Sequence, residues 1–176
     1  MKISNFIFLF FICIYSSNLN AEIFYIDIDK IINQTNVGKH INQEFENEKK
    51  KSNSINLKNK NELKKREEIL IAQKNILDEK EFNKKLNIFR QDVDNFNITN
   101  QKSNKDLQNK LLNNKSNFLK LIEPILLDYV AENNIKYLLQ KKYIIIGHND
   151  LNKTSDIIIL INNKINISNF NESIAK

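Results

Sequence analysis

The chain is almost without the residues that interrupt helices. Its 176 residues include two glycines, one proline and no tryptophan. Two glycines cannot build a glycine-rich phosphate loop, which excludes nucleotide-binding motifs of that kind. From residue 39 to residue 123 the sequence has neither glycine nor proline and is rich in Lys, Glu, Asn, Gln and Leu. That composition permits very long helices.

The single cysteine, Cys13, lies in the apolar stretch IFLFFICIY, residues 7–15, which follows Lys2. A positive start, a short apolar run and a small residue at the cut are typical of a secretory signal peptide. We expect cleavage after about Ala21, which removes residues 1–21 and exports the protein to the periplasm. An uncleaved anchor is the alternative, although the apolar run is short for a bilayer span.

Once the signal peptide and its Cys13 are removed, the exported chain has no thiol, which excludes disulfides, cysteine zinc sites and cysteine nucleophiles. The fold must then be stabilised by its core or by oligomerisation. His40 and His148 lie far apart in the sequence, without an HExxH motif or acids at metal-ligand spacing. The sequence therefore predicts no metal, no cofactor and no enzymatic activity.

The net charge is +6, and removal of Lys2 with the signal peptide lowers it to +5. A basic surface favours anionic partners such as a membrane, lipopolysaccharide, nucleic acid or an acidic protein. Codon bias explains the charge equally well, since the chain is rich in Asn, Ile and Lys and only Arg66 and Arg90 are arginines. Export argues against nucleic acid as the partner.

The mature chain begins with EIFYIDI, residues 22–28, whose alternation and β-branched content predict a strand. Asp29 is expected to cap a short helix over residues 30–35. Gly38 is the expected joint before the long helical region. The apolar residues assigned to one face of the strand are Phe24, Ile26 and Ile28.

Two signals overlap in NILDEKEF, residues 75–82. An Asp-x-x-Glu capping box coincides with a hydrophobic staple, in which Leu precedes the cap and Phe follows it by four residues. Both predict a turn near residues 75–78 and a new helix from Glu79, so that two helices form a hairpin. One continuous helix is the alternative. The residues assigned to this hairpin tip are Leu77, Asp78, Glu81 and Phe82.

The returning helix carries a heptad-spaced apolar seam. Asn100 and Ser103 interrupt this seam, which resumes at Leu107. Pro124 is expected to bend the helix where the arm meets a packed body. The seam begins with Phe82, Leu86, Phe89, Val93 and Phe96.

The C-terminal region has three predicted parts. IKYLLQ and YIIIG, separated by Lys141 and Lys142, predict a β-hairpin. Residues 156–165 are rich in β-branched side chains, which favours a strand, yet their apolar spacing also fits one face of a helix. Residues 167–176 are expected to be a mobile tail.

Together these motifs resemble the Skp/OmpH family of periplasmic chaperones. IFYIDIDKIINQTNVGK looks like the family's opening strand and helix, and NILDEKEFNKKLNIFRQDV looks like its hairpin tip and returning arm. LIEPILLDYVAENNIKYLLQKKYIIIG, a helix with proline followed by two strands, is the most specific match. DIIILINNKIN resembles the closing helix, so that the resemblance covers residues 22–166.

The resemblance implies an α+β fold and a homotrimer. Residues 22–37 and 122–166 would form a small β-body, and residues 38–121 a long antiparallel helical hairpin with its tip near residues 75–79. Three such arms would surround a cavity that holds unfolded outer-membrane proteins without ATP. The residues assigned to the trimer body core are Phe24, Ile26, Ile28, Leu138, Ile144 and Ile146.

A periplasmic holdase is the function that the resemblance implies, with unfolded outer-membrane proteins and further copies of the chain as partners. A coiled-coil tether or adaptor of the cell envelope without chaperone activity is the alternative, and a basic nucleic-acid or lipid-surface binder is a third hypothesis. Lys84, Lys85 and Arg90 lie off the seam just past the tip. They are candidate contacts for anionic clients, lipid or lipopolysaccharide, or are merely solvated charge.

Overall fold

The computed structural model describes residues 23–174, and the predicted signal peptide, residues 1–21, lies outside this range. Two helices of 38 and 54 residues dominate it. None of the helices within residues 23–174 has the length and apolar character needed to cross a membrane. The elements in chain order are β1 (Ile23–Ile26), α1 (Ile28–Gln34), α2 (Asn36–Gln73), α3 (Glu79–Glu132), β2 (Tyr137–Gln140), two 3₁₀ turns (Lys141–Tyr143 and Asn149–Leu151), α4 (Thr154–Lys164) and α5 (Ile167–Ile174).

The long helices α2 and α3 form an antiparallel hairpin, as the capping signals predict. The backbone of Asp78 is extended, and its carboxylate accepts a hydrogen bond from the backbone N–H of Glu81 at 2.9 Å. α3 begins at Glu79, so the predicted helix start is confirmed and a continuous helix is wrong. The apolar seam of α3 is half-buried from Phe82 through Phe96 and beyond, while most residues between its positions are exposed.

The joint between α1 and α2 depends on a close approach at Gly38. Thr35 caps α2 by accepting the N–H of Gly38 at 3.2 Å, and its hydroxyl donates to the carbonyl of Ile31 at 2.9 Å. A Cβ at Gly38 would lie 1.7 Å from the carbonyl oxygen of Ile32. Glycine is required here because there is no space for a Cβ atom, and not because the backbone is left-handed. Asp27 and not Asp29 caps α1, because the strand ends earlier than expected.

The core lies where the open end of the hairpin meets the short elements. Each fully buried aliphatic or aromatic side chain there contributes about 1.5–3 kcal/mol through the apolar surface that it removes from water. α1, α2, α3, α4 and α5 all supply residues to it. The buried cluster consists of Ile26, Ile31, Ile32, Val37, Ile41, Phe118, Ile122, Ile125, Ile157, Ile161, Ile165 and Phe170.

The sheet differs from the predicted β-hairpin. β2 pairs in parallel with β1, with Ile23 opposite Tyr137 and Ile26 opposite Gln140. After Gln140 the chain makes a 3₁₀ turn, and residues 144–147 form no strand, so the predicted IKYLLQ–YIIIG hairpin is wrong. A two-residue hairpin turn favours Gly or Asn, which Lys141 and Lys142 are not. The α2–α3 arm supplies the long crossover that parallel strands need.

The C-terminal region is helical. Residues predicted as either strand or helix form α4, with Ile157, Ile161 and Ile165 buried at helical spacing. Residues 167–174, within the segment predicted to be a mobile tail, form the short helix α5. The reason is Phe170, whose side chain is 0% exposed within the core.

Candidate functional site

The described residues offer no catalytic or metal-binding constellation. Over residues 23–174, no three His, Cys, Asp or Glu side chains gather closely enough to hold a metal ion. His40 lies 3.6 Å from Glu44 on the same helix, and His148 lies 2.9 Å from Asp150 in a loop. Burial, followed by the charge of Asp156, raises the pKa of Tyr129 above its ordinary value, so its phenol stays neutral at physiological pH.

The residues assigned to the body core differ in burial within one chain. Ile26 is 3% exposed, and Ile28 and Leu138 pack against the core cluster. Phe24 is half-buried and lies beneath the Lys153 ammonium, which is 4.9 Å from its ring centroid. Ile28 belongs to α1 and does not continue the strand.

Ile144 and Ile146 lie after β2, in the segment that was predicted to form the second strand of a hairpin. Ile144 is half-buried, whereas Ile146 is 92% exposed and Ile145 is 99% exposed. Ile146 is therefore not a core residue of the single chain, because the backbone leaves the sheet after Gln140. This segment covers Tyr25, since a Cβ on Gly147 would contact the Tyr25 ring at 3.4 Å.

Large apolar side chains accumulate on the exposed surface of the body. They come from both strands and from the loop after β2, and water-exposed apolar clusters on soluble proteins mark interaction sites. We call this set the body apolar surface. It consists of Ile23, Tyr137, Leu139, Tyr143, Ile145, Ile146 and Leu151, each at least 37% exposed.

The arm also exposes apolar side chains along its length. They are spread along both helices and the tip, and Lys, Glu and Asn are frequent between them. Isolated apolar side chains of this kind make many weak contacts rather than one strong one. The exposed apolar residues of the arm are Ile55, Leu57, Ile69, Ile71, Ile76, Ile88, Ile98 and Leu112.

Two open cavities lie between the helices of the arm. The larger, of about 590 Å³, is lined near mid-arm by Asn59, Leu63 and Phe96, among others. The smaller, of about 290 Å³, lies nearer the tip and is lined partly by Leu70 and Phe89. Polar and charged residues of α2, among them Asn56 and Arg66, line the larger cavity together with Phe96 of α3.

Polar side chains that interrupt the seam pair with each other across the hairpin. The amide nitrogen of Asn56 donates to Oδ1 of Asn100 at 2.6 Å, and the hydroxyls of Ser52 and Ser103 are 3.3 Å apart. Both pairs are partly buried. Where Asn100 and Ser103 interrupt the predicted apolar seam, the two helices are therefore joined by two layers of polar side chains.

Ion pairs across the hairpin add to these layers. Arg66 pairs with Asp92, and Lys110 pairs with Glu48. Sequence reasoning missed both, because their partners lie on different helices and no local pattern links them. The mirrored charges at the same distance from the tip on α2 and α3 were the available signal.

The basic residues past the tip are all exposed, but they are not equivalent. Lys84 and Arg90 project from α3 without a polar partner among the described residues. Lys85 donates to Oε1 of Gln73 on α2 at 3.0 Å, so it also joins the two helices.

Comparisons with known proteins agree on the architecture. A sequence profile of the family described as "Outer membrane protein (OmpH-like)" matches residues 22–161. The fold is similar to the crystal structure of a Caulobacter crescentus CB15 protein described as a candidate outer membrane chaperone (OmpH-like). The TM-score is 0.67 at 11% sequence identity, over 82% of this chain and 85% of that one. No curated protein sequence matches the chain.

Proposed function

Because the chain belongs to the OmpH-like family of outer membrane proteins, we propose that it is an ATP-independent periplasmic holdase. It binds unfolded outer-membrane proteins and prevents their aggregation during transit to the outer membrane. It carries out no covalent chemistry and needs no cofactor. The signal peptide of residues 1–21 directs the chain to the periplasm.

The observation that supports this proposal is the distribution of apolar side chains along the arm. Ile69, Ile71, Ile76 and Ile88 are each about half exposed or more near the tip, within a sequence rich in charged and polar residues. An unfolded chain presents short apolar segments at irregular spacing. Many weak apolar contacts, each worth about 25 cal/mol per Å² buried, hold such a chain without selecting one sequence.

The proposed assembly is a homotrimer formed through the body. A cluster of twelve buried residues holds the short elements of one chain together, and small cores of this kind are commonly completed by oligomerisation. The body apolar surface would be covered by the other two protomers. Residues 22–37 and 122–166 form the body in this proposal, and residues 38–121 form the arm.

Lys84, Lys85 and Arg90 are the proposed contact with anionic clients, lipid or lipopolysaccharide. All three are exposed at the end of the arm farthest from the core. Basic residues near an anionic surface are attracted to it by up to about 1 kcal/mol per charge. The attraction raises the association rate more than it prolongs binding.

Mass measurement of the native assembly tests the assembly and the client binding together. The proposal expects three copies of the mature chain, and one added unfolded outer-membrane protein when that client is diluted from urea in its presence. A folded monomer that acquires no client would contradict both parts, and a trimer that acquires no client would favour a structural tether of the envelope.

A further inference from the structure

The last described helix, α5, occupies an apolar notch at the root of the arm. Its Phe170 is 0% exposed and meets Phe118 of α3 edge to face, with ring centroids 6.4 Å apart and planes at 82°. Phe118 is itself 0% exposed, and α5 contacts both α2 and α3 there. We call the space around Phe118 that receives Phe170 the root notch.

One side chain makes most of this attachment. The polar bonds of α5 are internal: the amides of Asn166 and Asn169 cap each other's backbone N–H groups at 2.9 and 3.2 Å, and Ser173 donates to the carbonyl of Phe170. Over residues 23–174, no side-chain hydrogen bond or ion pair joins Ile167–Ile174 to α2 or α3. Ile167 and Ile174 flank Phe170 on the same face and remain 39% exposed.

We propose that α5 is an exchangeable occupant of the root notch, which is a binding site for an aromatic residue of an unfolded apolar segment. This inference rests on the proposed holdase function and names one of its client sites. The sequence of α5 indicates what the notch accepts. It places the aromatic ring of Phe170 against Phe118, with the aliphatic residues Ile167 three positions before it and Ile174 four positions after it. Membrane β-barrel proteins are rich in aromatic side chains between apolar ones.

An intramolecular occupant controls the affinity of the notch. Because α5 is tethered through the short link after α4, its effective concentration at the notch is high. A client must compete with it, so the apparent affinity is the intrinsic affinity multiplied by the fraction of molecules in which α5 is released. Weak apolar segments are thereby rejected, and aromatic segments in long contact with the arms displace α5. The family match ends at residue 161, before α5 begins.

The test uses the full mature chain with Phe170→Ala, which removes the seated ring. Asn171→Ala is the matched control, since Asn171 is an exposed neighbour on the same helix. A second releasing variant, Asn166→Ala with Asn169→Ala, removes the mutual cap of α5 and leaves the core residues intact. Hydrogen exchange should become fast in residues 167–174 of both releasing variants while α3 stays protected, which verifies folding.

The probe is a fluorescent peptide of residues 165–176, compared with the same peptide carrying alanine in place of phenylalanine. We expect the phenylalanine peptide to bind the Phe170→Ala chain about tenfold or more tightly than the wild type or the Asn171→Ala control. The capping variant should shift in the same direction. The alanine peptide should bind none of them, and a urea-unfolded β-barrel protein should displace the bound peptide.

Equal peptide binding by the Phe170→Ala chain and the Asn171→Ala control, with α5 released, would overturn the notch as a site. Peptide binding that an unfolded β-barrel protein does not displace, in a chain that still delays aggregation, would overturn its role in client capture. If neither wild type nor variants delay aggregation, the holdase function itself fails, and the client role of the notch fails with it. The peptide measurement distinguishes these results because it does not depend on aggregation.

Discussion

Asn56 of α2 donates a 2.6 Å hydrogen bond to Asn100 of α3, at a point where polar residues interrupt the apolar seam of the helical hairpin. One turn away, the hydroxyls of Ser52 and Ser103 meet at 3.3 Å. A partly buried polar pair is best satisfied in one register, so these layers favour one alignment of the two helices at a cost in stability. The arm is consequently aligned yet weakly packed near its middle.

Replacing both Asn56 and Asn100 with leucine should therefore stabilise the arm, because two apolar side chains would fill space that polar ones leave open. Asn56→Ala alone should destabilise it by about 1 kcal/mol, since Asn100 loses its donor on the other helix and keeps only the longer, 3.3 Å bond from Asn104. Thermal unfolding followed by circular dichroism measures both changes. Asn97→Leu, at an exposed position of α3, is the control and should change the midpoint little. A lower midpoint for the double leucine variant would contradict the account of the polar layer.

Gly38→Ala should destabilise the body strongly. The added Cβ would fall 1.7 Å from the carbonyl oxygen of Ile32, so the α1–α2 joint must move, at a cost of about 1–3 kcal/mol or more. Gly147→Ala is the matched control, because its Cβ would meet only side-chain atoms at 3.3 Å and beyond. Urea unfolding of the two variants makes the comparison, and equal midpoints would show that the close approach at Gly38 is unimportant.

Ile146→Asp should abolish the proposed trimer without unfolding the chain. Ile146 is 92% exposed in one chain, so a carboxylate is tolerated there, but burial of that charge at an interface would cost several kcal/mol. Light scattering coupled to gel filtration reports the mass. Ile76→Asp is the control, since Ile76 is 78% exposed on the hairpin tip, away from the body. A trimer that survives Ile146→Asp, or one that dissociates equally with Ile76→Asp, would contradict the proposed interface.

Changing Lys84, Lys85 and Arg90 together to glutamate should slow association with anionic vesicles and clients at low salt. The effect should fade as salt rises, because exposed charges are screened within about 10 Å at 0.1 M ionic strength. Lys50, Lys51 and Lys58 changed to glutamate provide a control of equal charge on another part of the arm. Equal slowing by both triple variants would mean that net charge matters and the position near the tip does not.

Local signals in the sequence predicted the hairpin correctly. The cap at Asp78 and the seam from Phe82 depend on residues a few positions apart, and both appear as expected. The parallel pairing of β1 with β2 was missed because its partners are separated by the whole arm. A hairpin between the adjacent segments IKYLLQ and YIIIG is favoured by their strand-like sequences. The only signal against it was the turn at Lys141 and Lys142, which lacks the Gly or Asn that such turns prefer.

The docking of α5 was also missed, because its partner Phe118 lies on a distant part of the chain. Eight residues rich in Asn and Ser form too short a helix to predict from propensity alone. The reciprocal caps of Asn166 and Asn169, with Ile167, Phe170 and Ile174 on one helical face, were the signal that could have found it. Which surface receives that face depends on tertiary packing, which no local pattern encodes.

The central claim is that this chain keeps unfolded outer-membrane proteins soluble without ATP. Its most direct test is light scattering after a urea-unfolded β-barrel outer-membrane protein is diluted into buffer that contains the mature chain and no nucleotide. The account predicts that a several-fold molar excess of the chain delays or prevents the rise in scattering. A rise as fast as that with an equal mass of an unrelated helical protein would contradict it.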